Sequence, residues 1–169
     1  MRRRVAARRE EARALLSQLG CATAEAVARR LGITHSQAAY ALKMLESERG
    51  VVRYKVGRVA VWCASSAPLD KIYTAISPCF RYAEEALREL LEGARGSILT
   101  LAPGDFVKAM ARRHRRKCIY PLLLAAARSW LESRLDGAIL TWSRNGWRDV
   151  KYVIDVKKAR EKLAAAGYV

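Results

Sequence analysis

The sequence predicts a mainly α-helical fold with short β-hairpins, an α+β protein built of two domains. Apolar residues recur at helical spacing along most of the chain, which is typical of helices that bury one face. Two runs of β-branched and aromatic residues are each interrupted at a glycine, which is typical of hairpins. Between the hairpins, residues 64–68 have the Ala, Ser and Pro content of a linker. We therefore expect an N-terminal domain at residues 1–66 and a linker with a C-terminal domain at residues 67–169.

Charge is the most informative feature of the composition. The 169 residues include 32 Lys and Arg against 16 Asp and Glu, which gives a net charge of +16. Residues 1–66 hold 13 basic and 5 acidic side chains and residues 67–169 hold 19 and 11, so each part carries +8. A basic excess on both parts indicates a polyanionic partner that contacts the whole molecule, and nucleic acid is the simplest such partner.

The sequence favours a location inside the cell and away from membranes. Its N-terminus leads into a charged helix instead of the apolar segment of a secretion signal. The longest apolar run, residues 121–127, is too short to span a bilayer. We therefore expect a cytoplasmic, nucleoid-associated protein without a membrane partner.

Residues 1–19 are predicted to form one helix. Its inner face consists of Ala12, Leu15, Leu16 and Leu19, and its outer face carries Arg2, Arg3, Arg4, Arg8, Arg9 and Arg13. A solvated face is the simpler interpretation of the later arginines. The first three arginines are equally consistent with a flexible arm that contacts phosphates.

Residues 23–46 predict two helices that meet at a tight corner. Thr23 caps the first helix, Gly32 ends it in the left-handed conformation, and Thr34 caps the second helix through its hydroxyl. The second helix has a buried face of Ala38, Ala41, Leu42 and Leu45 and an open face of His35, Ser36, Gln37, Ala39, Tyr40 and Lys43. Residues 51–62 follow as two β-branched runs that break at Gly57, which predicts a hairpin.

This order of helix, corner, helix and hairpin resembles the winged helix-turn-helix superfamily of DNA-binding proteins over residues 4–63. The spacing that carries the resemblance is that of Val27, Leu31, Gly32, Ile33, Ala38, Leu42 and Leu45. A small helical domain that binds nothing is the alternative, because helix corners with glycine also occur in ordinary bundles.

The resemblance implies how residues of this domain meet DNA. The helix at residues 35–48 would enter the major groove and place Ser36, Gln37 and Tyr40 at base edges. The implied backbone contacts are His35, Lys43, and the wing residues Lys55 and Arg58. His35 equally fits a role in capping or solvating the start of the helix.

Residues 69–94 predict a short helix and then a longer one that ends at Glu92. Ser77 and Pro78 form a good helix start, with serine as the cap and proline at the first position. The segment holds five acids and three bases and should not touch DNA. We expect it to form an inter-domain contact or the contact of a homodimer, with simple core packing as the alternative.

The remaining residues repeat the first plan. A strand at residues 98–100, helices at 103–115 and 120–135, a hairpin around Asn145 and Gly146 and a final helix at 156–166 are predicted. Leu-Glu-Ser at residues 45–47 recurs at residues 131–133, each time ahead of a hairpin. The resemblance thus extends, more loosely, to two winged helix-turn-helix domains in tandem, as in an archaeal-type protein.

The second domain lacks the side chains of a base reader. Residues 120–127 begin its third helix with an almost wholly apolar run, which predicts that this helix packs inward. Basic residues around it can supply phosphate contacts, which add affinity but no specificity. They are Arg112, Arg113, Arg115, Arg116, Lys117, Arg144 and Arg148.

The four cysteines, Cys21, Cys63, Cys79 and Cys118, lack the close spacing of a zinc site, so we expect no metal, no cofactor and thiols in the core. The chain has one Asn and two Gln beside 23 Arg. This depletion of heat-labile amides indicates a thermophilic source. A disulfide between Cys63 and Cys79 is conceivable in such a source.

No common catalytic motif is present, and we expect a protein that is not an enzyme. The one arrangement with catalytic potential is Asp136, Asp149 and Lys151, which resembles the metal-dependent nucleases of the restriction-endonuclease-like family. The leading hypothesis is a sequence-specific double-stranded DNA-binding protein that regulates transcription. A non-specific architectural or replication-associated DNA-binding protein is the main alternative, and a Mg²⁺-dependent nuclease is a weaker one.

Overall fold

The computed structural model describes the backbone of residues 2–115, 118, 122–145 and 149–166. The chain divides into two compact units, Met1–Ile76 and Ser77–Val169. The division falls ten residues after the predicted boundary at residue 66. The reason is the short helix at Leu69–Ile76, which packs on the sheet of the first unit and buries Ile72 and Tyr73.

The first unit combines four helices with a three-stranded antiparallel sheet in the order β1-β3-β2. Its elements are α1 (Arg2–Leu19), β1 (Cys21–Thr23), α2 (Ala24–Leu31), α3 (His35–Ser47), β2 (Val52–Val56), β3 (Val59–Cys63) and α4 (Leu69–Ile76). The strand β1 was not predicted. It is only three residues long, and it exists because β3 offers it a partner, with Ala22 opposite Trp62.

The predicted corner between the two helices is confirmed. The Thr23 hydroxyl accepts a hydrogen bond from the backbone N–H of Ala26 at 3.2 Å and caps α2. Gly32 ends α2 with a φ of 63°, which a residue without a Cβ adopts at little cost. Thr34 then caps α3.

The core of the first unit lies between α1, α2 and α3. All four residues of the predicted buried face of α3 are buried, and so are Ala12 and Leu16 of α1 and Val27 of α2. Leu19 was predicted to lie inside but is 42% exposed. It is the last residue of α1, and the chain turns away at Gly20, whose φ is 81°.

The first hairpin forms where the glycine predicted it. Val56 pairs with Val59, so Gly57 and Arg58 make a two-residue turn, and Gly57 has a φ of 59°. Such turns require positive φ, which explains the glycine. The linker is held to this hairpin because the backbone N–H of Ala67 donates a hydrogen bond to the Tyr54 hydroxyl at 3.1 Å.

The second unit has a 3-10 helix at Pro78–Tyr82 and a three-stranded antiparallel sheet in the order β4-β6-β5. Its other elements are α5 (Ala83–Glu92), β4 (Ile98–Leu101), α6 (Pro103–His114), α7 (Leu122–Arg134), β5 (Ile139–Asn145), β6 (Asp149–Asp155) and α8 (Val156–Ala166). The predicted single helix after Ser77 therefore starts with tight 3-10 geometry, which the Ser77 hydroxyl caps by accepting from the N–H of Cys79 at 3.3 Å.

The two units share one order of elements. Each has a helix, a strand, two helices, two hairpin strands and a further helix, and in each sheet the third strand lies between the first and the second. The α+β fold class is confirmed. The loose sequence repeat therefore corresponds to a repeated chain topology.

The helix α7 packs inward, as its apolar sequence predicted. Leu123, Ala126 and Leu131 are buried, and the ring of Trp130 stacks on that of Phe106 with the centroids 5.1 Å apart. The predicted start of this helix at residues 120 and 121 lies outside the described residues.

Asn145 does not lie in the turn of the second hairpin, where the sequence predicted a tight Asn-Gly turn. Asn145 is itself a strand residue and pairs with Asp149. A register shift between Ile139 and Thr141 marks the other end of the hairpin. The residues that join the strands, 146–148, include the predicted turn glycine and lie outside the described residues.

All four cysteines are paired, which corrects both cysteine predictions. Cys21 bonds to Cys63 and Cys79 bonds to Cys118, so neither core thiols nor a bond between Cys63 and Cys79 is found. The unpredicted strand β1 brings Cys21 directly opposite Cys63, with their Cα atoms 4.0 Å apart. Each disulfide lies within one unit.

Candidate nucleic-acid interface

The open face of α3 is free of acidic side chains until its last turns. His35, Ser36, Gln37 and Lys43 are exposed, and Tyr40 is 55% exposed. The first carboxylate along the helix is that of Glu46. Up to Lys43, α3 therefore presents polar side chains to solvent, as the sequence predicted. Ala39 was predicted on the same open face, but it is partly buried and packs against the core.

Gln37 also has a structural role at the start of α3, which its position on the open face did not predict. Its side-chain amide oxygen accepts a hydrogen bond from the backbone N–H of Thr34, and its backbone N–H donates to the Thr34 hydroxyl, each at 3.2 Å. This reciprocal capping box satisfies two backbone donors at the helix start. The amide oxygen of Gln37 is thus already engaged, while its amide NH₂ group can still donate to a ligand.

The first hairpin carries exposed cations. Arg58 lies in the turn, as predicted, whereas Lys55 lies on β2 opposite Ala60 instead of in the turn itself. Both side chains are exposed. Arg53 of β2 forms an ion pair of 3.2 Å with Glu46 of α3, which ties the hairpin to the end of that helix.

Most carboxylates of the first unit are neutralised by arginines away from this face. Glu48 pairs with Arg9 at 2.6 Å and with Arg13 at 3.2 Å. Glu25 pairs with Arg29 at 2.9 Å. In the described part of the chain, no carboxylate lies within ion-pair distance of the predicted phosphate contacts, Lys43, Lys55 and Arg58.

An open pocket lies between α1 and the first turns of α3. Its volume is about 210 Å³, and it is lined by Val5, Arg8, Ser36, Gln37, Tyr40 and Ala41. The sequence did not indicate this pocket. The four-residue spacing of Arg4 and Arg8 places them on one face of α1, but the spacing does not say which helix that face meets.

The basic cluster of the second unit is partly occupied by ion pairs. Arg113 donates to Glu89 at 3.1 Å and to Glu85 at 3.2 Å, and Arg112 lies 3.7 Å from Glu89. These two predicted phosphate contacts are instead engaged with α5, because α6 packs beside that acidic helix. Arg115 is exposed.

The same contacts change the interpretation of the acidic helix α5. It was predicted to form an inter-domain or dimer contact, but Glu84 pairs with Arg134 and two further acids pair with α6. Other predicted contacts cannot be placed on this surface: Arg116, Lys117, Arg148 and the side chains of Arg2, Arg3 and Arg144 lie outside the described residues.

The residues of the suggested nuclease site do not come together. Asp136 precedes β5, whose first residue pairs with Ile154, whereas Asp149 lies at the opposite end of the hairpin. Six residues of strand at about 3.3 Å each separate the two ends by about 20 Å, and one Mg²⁺ cannot bridge that distance. Within the described residues, no group of three His, Cys, Asp or Glu side chains is arranged to hold a metal.

Comparison with known proteins reveals a likeness of fold. No protein-family model and no curated protein matches the chain. The structure is similar to the crystal structure of the hypothetical protein PyrSV_gp04 from Pyrobaculum spherical virus, with a TM-score of 0.60 and 20% sequence identity, over 92% of this chain and 97% of that chain. At this identity the similarity concerns the fold alone. Of the helices described, none has the length and apolarity needed to cross a membrane.

Proposed function

We propose that the protein is a sequence-specific double-stranded DNA-binding protein built of two winged helix-turn-helix units, and that it regulates transcription. The order of helix, strand, two helices and hairpin in each unit supports this assignment. So does the position of the third strand between the other two in both sheets.

The observation that carries the proposal is the acid-free, exposed face of α3 beside the basic hairpin. In this class of protein, the second helix of the corner lies in the major groove and its first turns meet base edges. Ser36, Gln37 and Tyr40 occupy those turns and can donate or accept hydrogen bonds. His35 and Lys43 of α3, and Lys55 and Arg58 of the first hairpin, are exposed and would contact phosphates.

The second unit would contribute affinity without reading bases. The apolar side chains of its helix α7 are mostly buried, and the exposed Ala125 near the start of that helix offers no hydrogen bond to a base edge. The exposed Arg115 can contact a phosphate. We also propose a homodimer, but the carboxylates of α5 pair within their own unit, so that helix is a weaker candidate for the dimer contact than its charge suggested.

The test is selection of bound sequences from a random pool of double-stranded DNA, with wild type and a set of point variants. Wild type should enrich a defined motif. Tyr40→Ala should remove the preference at one or two positions, because a good base contact discriminates by about 1–3 kcal/mol. Unchanged preference in this variant would refute the assigned readers.

Gln37→Glu separates reading from capping. Glutamate at this position keeps the capping box and so should preserve the melting temperature, while it loses the amide donor that a base acceptor needs. Gln37→Ala should lower the unfolding free energy by about 1 kcal/mol as well. Arg58→Gln is the charge control, because it should weaken binding to all sequences equally.

A non-specific architectural DNA-binding protein is the second candidate. The equal charge of +8 on the two halves of the sequence favours it, because such a distribution attracts any duplex. Binding that is tight but enriches no motif in the selection would support this candidate over the regulator.

A further inference from the structure

The arginines of α1 fall into two groups with different surroundings. Arg9 and Arg13 turn toward α3's C-terminal end, where both reach Glu48. Arg4 and Arg8 lie four residues apart, which places them on one face of the helix. In the described part of the structure, neither of them has a carboxylate within ion-pair distance.

Arg8 shares a pocket with the proposed base readers. It lines the pocket from the α1 side, and Ser36, Gln37 and Tyr40 line it from the α3 side. The lining residues, all of them within the described ranges, include no carboxylate. Val5 and Ala41 supply apolar surface for the aliphatic part of the arginine side chain, which leaves the guanidinium group able to reach outward.

We propose that Arg8, with Arg4 one turn before it, is a further DNA-binding residue that holds a backbone phosphate beside the bases read by α3. This inference rests on the proposed function. The major groove is about 12 Å wide, and packed helices lie about 8–10 Å apart. If α3 lies in the groove, the helix α1 that packs against it is therefore placed over the phosphates at the edge of the groove.

The chemistry of arginine suits this position. Its planar guanidinium group donates two parallel hydrogen bonds to a phosphate and stays charged at any pH that the protein survives. The DNA contact surface of the first unit is then formed by three elements: α1, α3 and the first hairpin. Arg8 adds affinity and fixes the position of α3 along the groove, without reading sequence itself.

The test compares Arg8→Gln with Arg9→Gln in the full chain, each measured on the selected DNA motif across a range of salt concentrations. The two arginines are neighbours in sequence, but Arg9 is neutralised by Glu48 at 2.6 Å. Loss of one phosphate contact lowers the salt slope by about 0.9, which corresponds to about eightfold weaker binding at 0.1 M salt. We expect this change for Arg8→Gln, with unchanged base preference, and no change of slope for Arg9→Gln.

Two outcomes overturn the inference in distinguishable ways. A wild-type slope in Arg8→Gln, together with a reduced slope in Arg58→Gln, would overturn the role of Arg8 and leave the proposed function intact. Failure of wild type to bind duplex DNA would overturn both. Circular dichroism of each variant verifies that the fold is kept.

A second measurement locates the phosphate. Methylphosphonate replaces one charged phosphate at a time in the selected duplex, and the loss of affinity is recorded for wild type and for Arg8→Gln. At the phosphate that Arg8 holds, the variant should lose nothing further, whereas the other phosphates should cost both proteins equally. Equal losses at every phosphate would contradict the contact.

Discussion

Under the proposed function, the single side chain of Gln37 serves both stability and recognition. The capping box holds its amide oxygen at the backbone N–H of Thr34. That bond also restricts the side-chain rotamer, so the amide NH₂ group is held in place before any ligand arrives. A preordered donor loses less conformational entropy on binding, which favours affinity.

Tyr152 provides a prediction about pH. Burial, followed by the hydrogen bond that its hydroxyl donates to Glu132 at 2.5 Å, raises the pKa of Tyr152 from 10.0 to about 12. The folded state therefore keeps a proton that the unfolded chain loses. This contribution to stability is complete below pH 10 and is lost as the pH rises from 10 to 12, by about 2 to 3 kcal/mol.

The measurement is the unfolding free energy in denaturant between pH 9 and pH 12, for wild type and for Tyr152→Phe. The variant lacks the titrating hydroxyl, so its free energy should fall less steeply above pH 10. Parallel curves for the two proteins would contradict the assigned pKa.

At the scale of elements, short segments depend on what packs beside them. The strand β1 is held by β3 and by the bond from Cys21 to Cys63. The ion pair between Arg53 and Glu46 ties β2 to α3 in turn. The strands are adjacent in the order β1-β3-β2. Contacts that hold β1 in the sheet therefore also help to hold the hairpin against α3, the helix that carries the candidate readers.

Removal of the Cys21–Cys63 bond should therefore destabilise the first unit. The bond closes a chain segment with a sequence separation of 42, and disulfides of this kind contribute about 2–4 kcal/mol. Cys21→Ser with Cys63→Ser should lower the unfolding free energy by this order in chemical denaturation. The matched control, Cys79→Ser with Cys118→Ser, should leave the first unit unchanged. Four reactive thiols in unreduced wild-type protein would contradict both pairings.

At the scale of the whole molecule, the two units have the same topology but different side chains on their surfaces. Each unit has its own core, its own sheet and its own disulfide. Among the residues that the structure describes, the candidate base readers lie on the first unit. In the second, α7 carries a mostly buried apolar sequence, and arginines of the basic cluster pair with α5.

This difference predicts that the two units contribute differently to DNA binding, which can be tested with each unit produced as a separate segment. Residues 1–76 should select the same DNA motif as the full chain but bind it more weakly, because a linked second unit raises the overall affinity. Residues 77–169 should bind duplex DNA without selecting a motif. Site selection with each purified segment measures both, after circular dichroism shows that each one folds. A motif enriched by residues 77–169 alone would contradict this prediction.

Local sequence determined most of the secondary structure. Thr23, Gly32 and Thr34 specify the helix corner through capping and left-handed geometry, and Gly57 specifies the first hairpin turn, because these preferences act within a few residues. The exposed face of α3 followed from helical spacing in the same way. The helix at residues 156–166 was predicted with the bounds that the structure has.

Tertiary structure decided which distant side chains meet. The strand β1, the two disulfide pairings, the engagement of Arg113 with Glu85 and Glu89, and the pocket that contains Arg8 all join residues far apart in the chain. Helical spacing says which residues share a face, but the neighbour of that face depends on how whole elements pack. For this reason the sequence located the candidate reading helix. Only the packed structure showed which of the described arginines and lysines are in ion pairs and which are not.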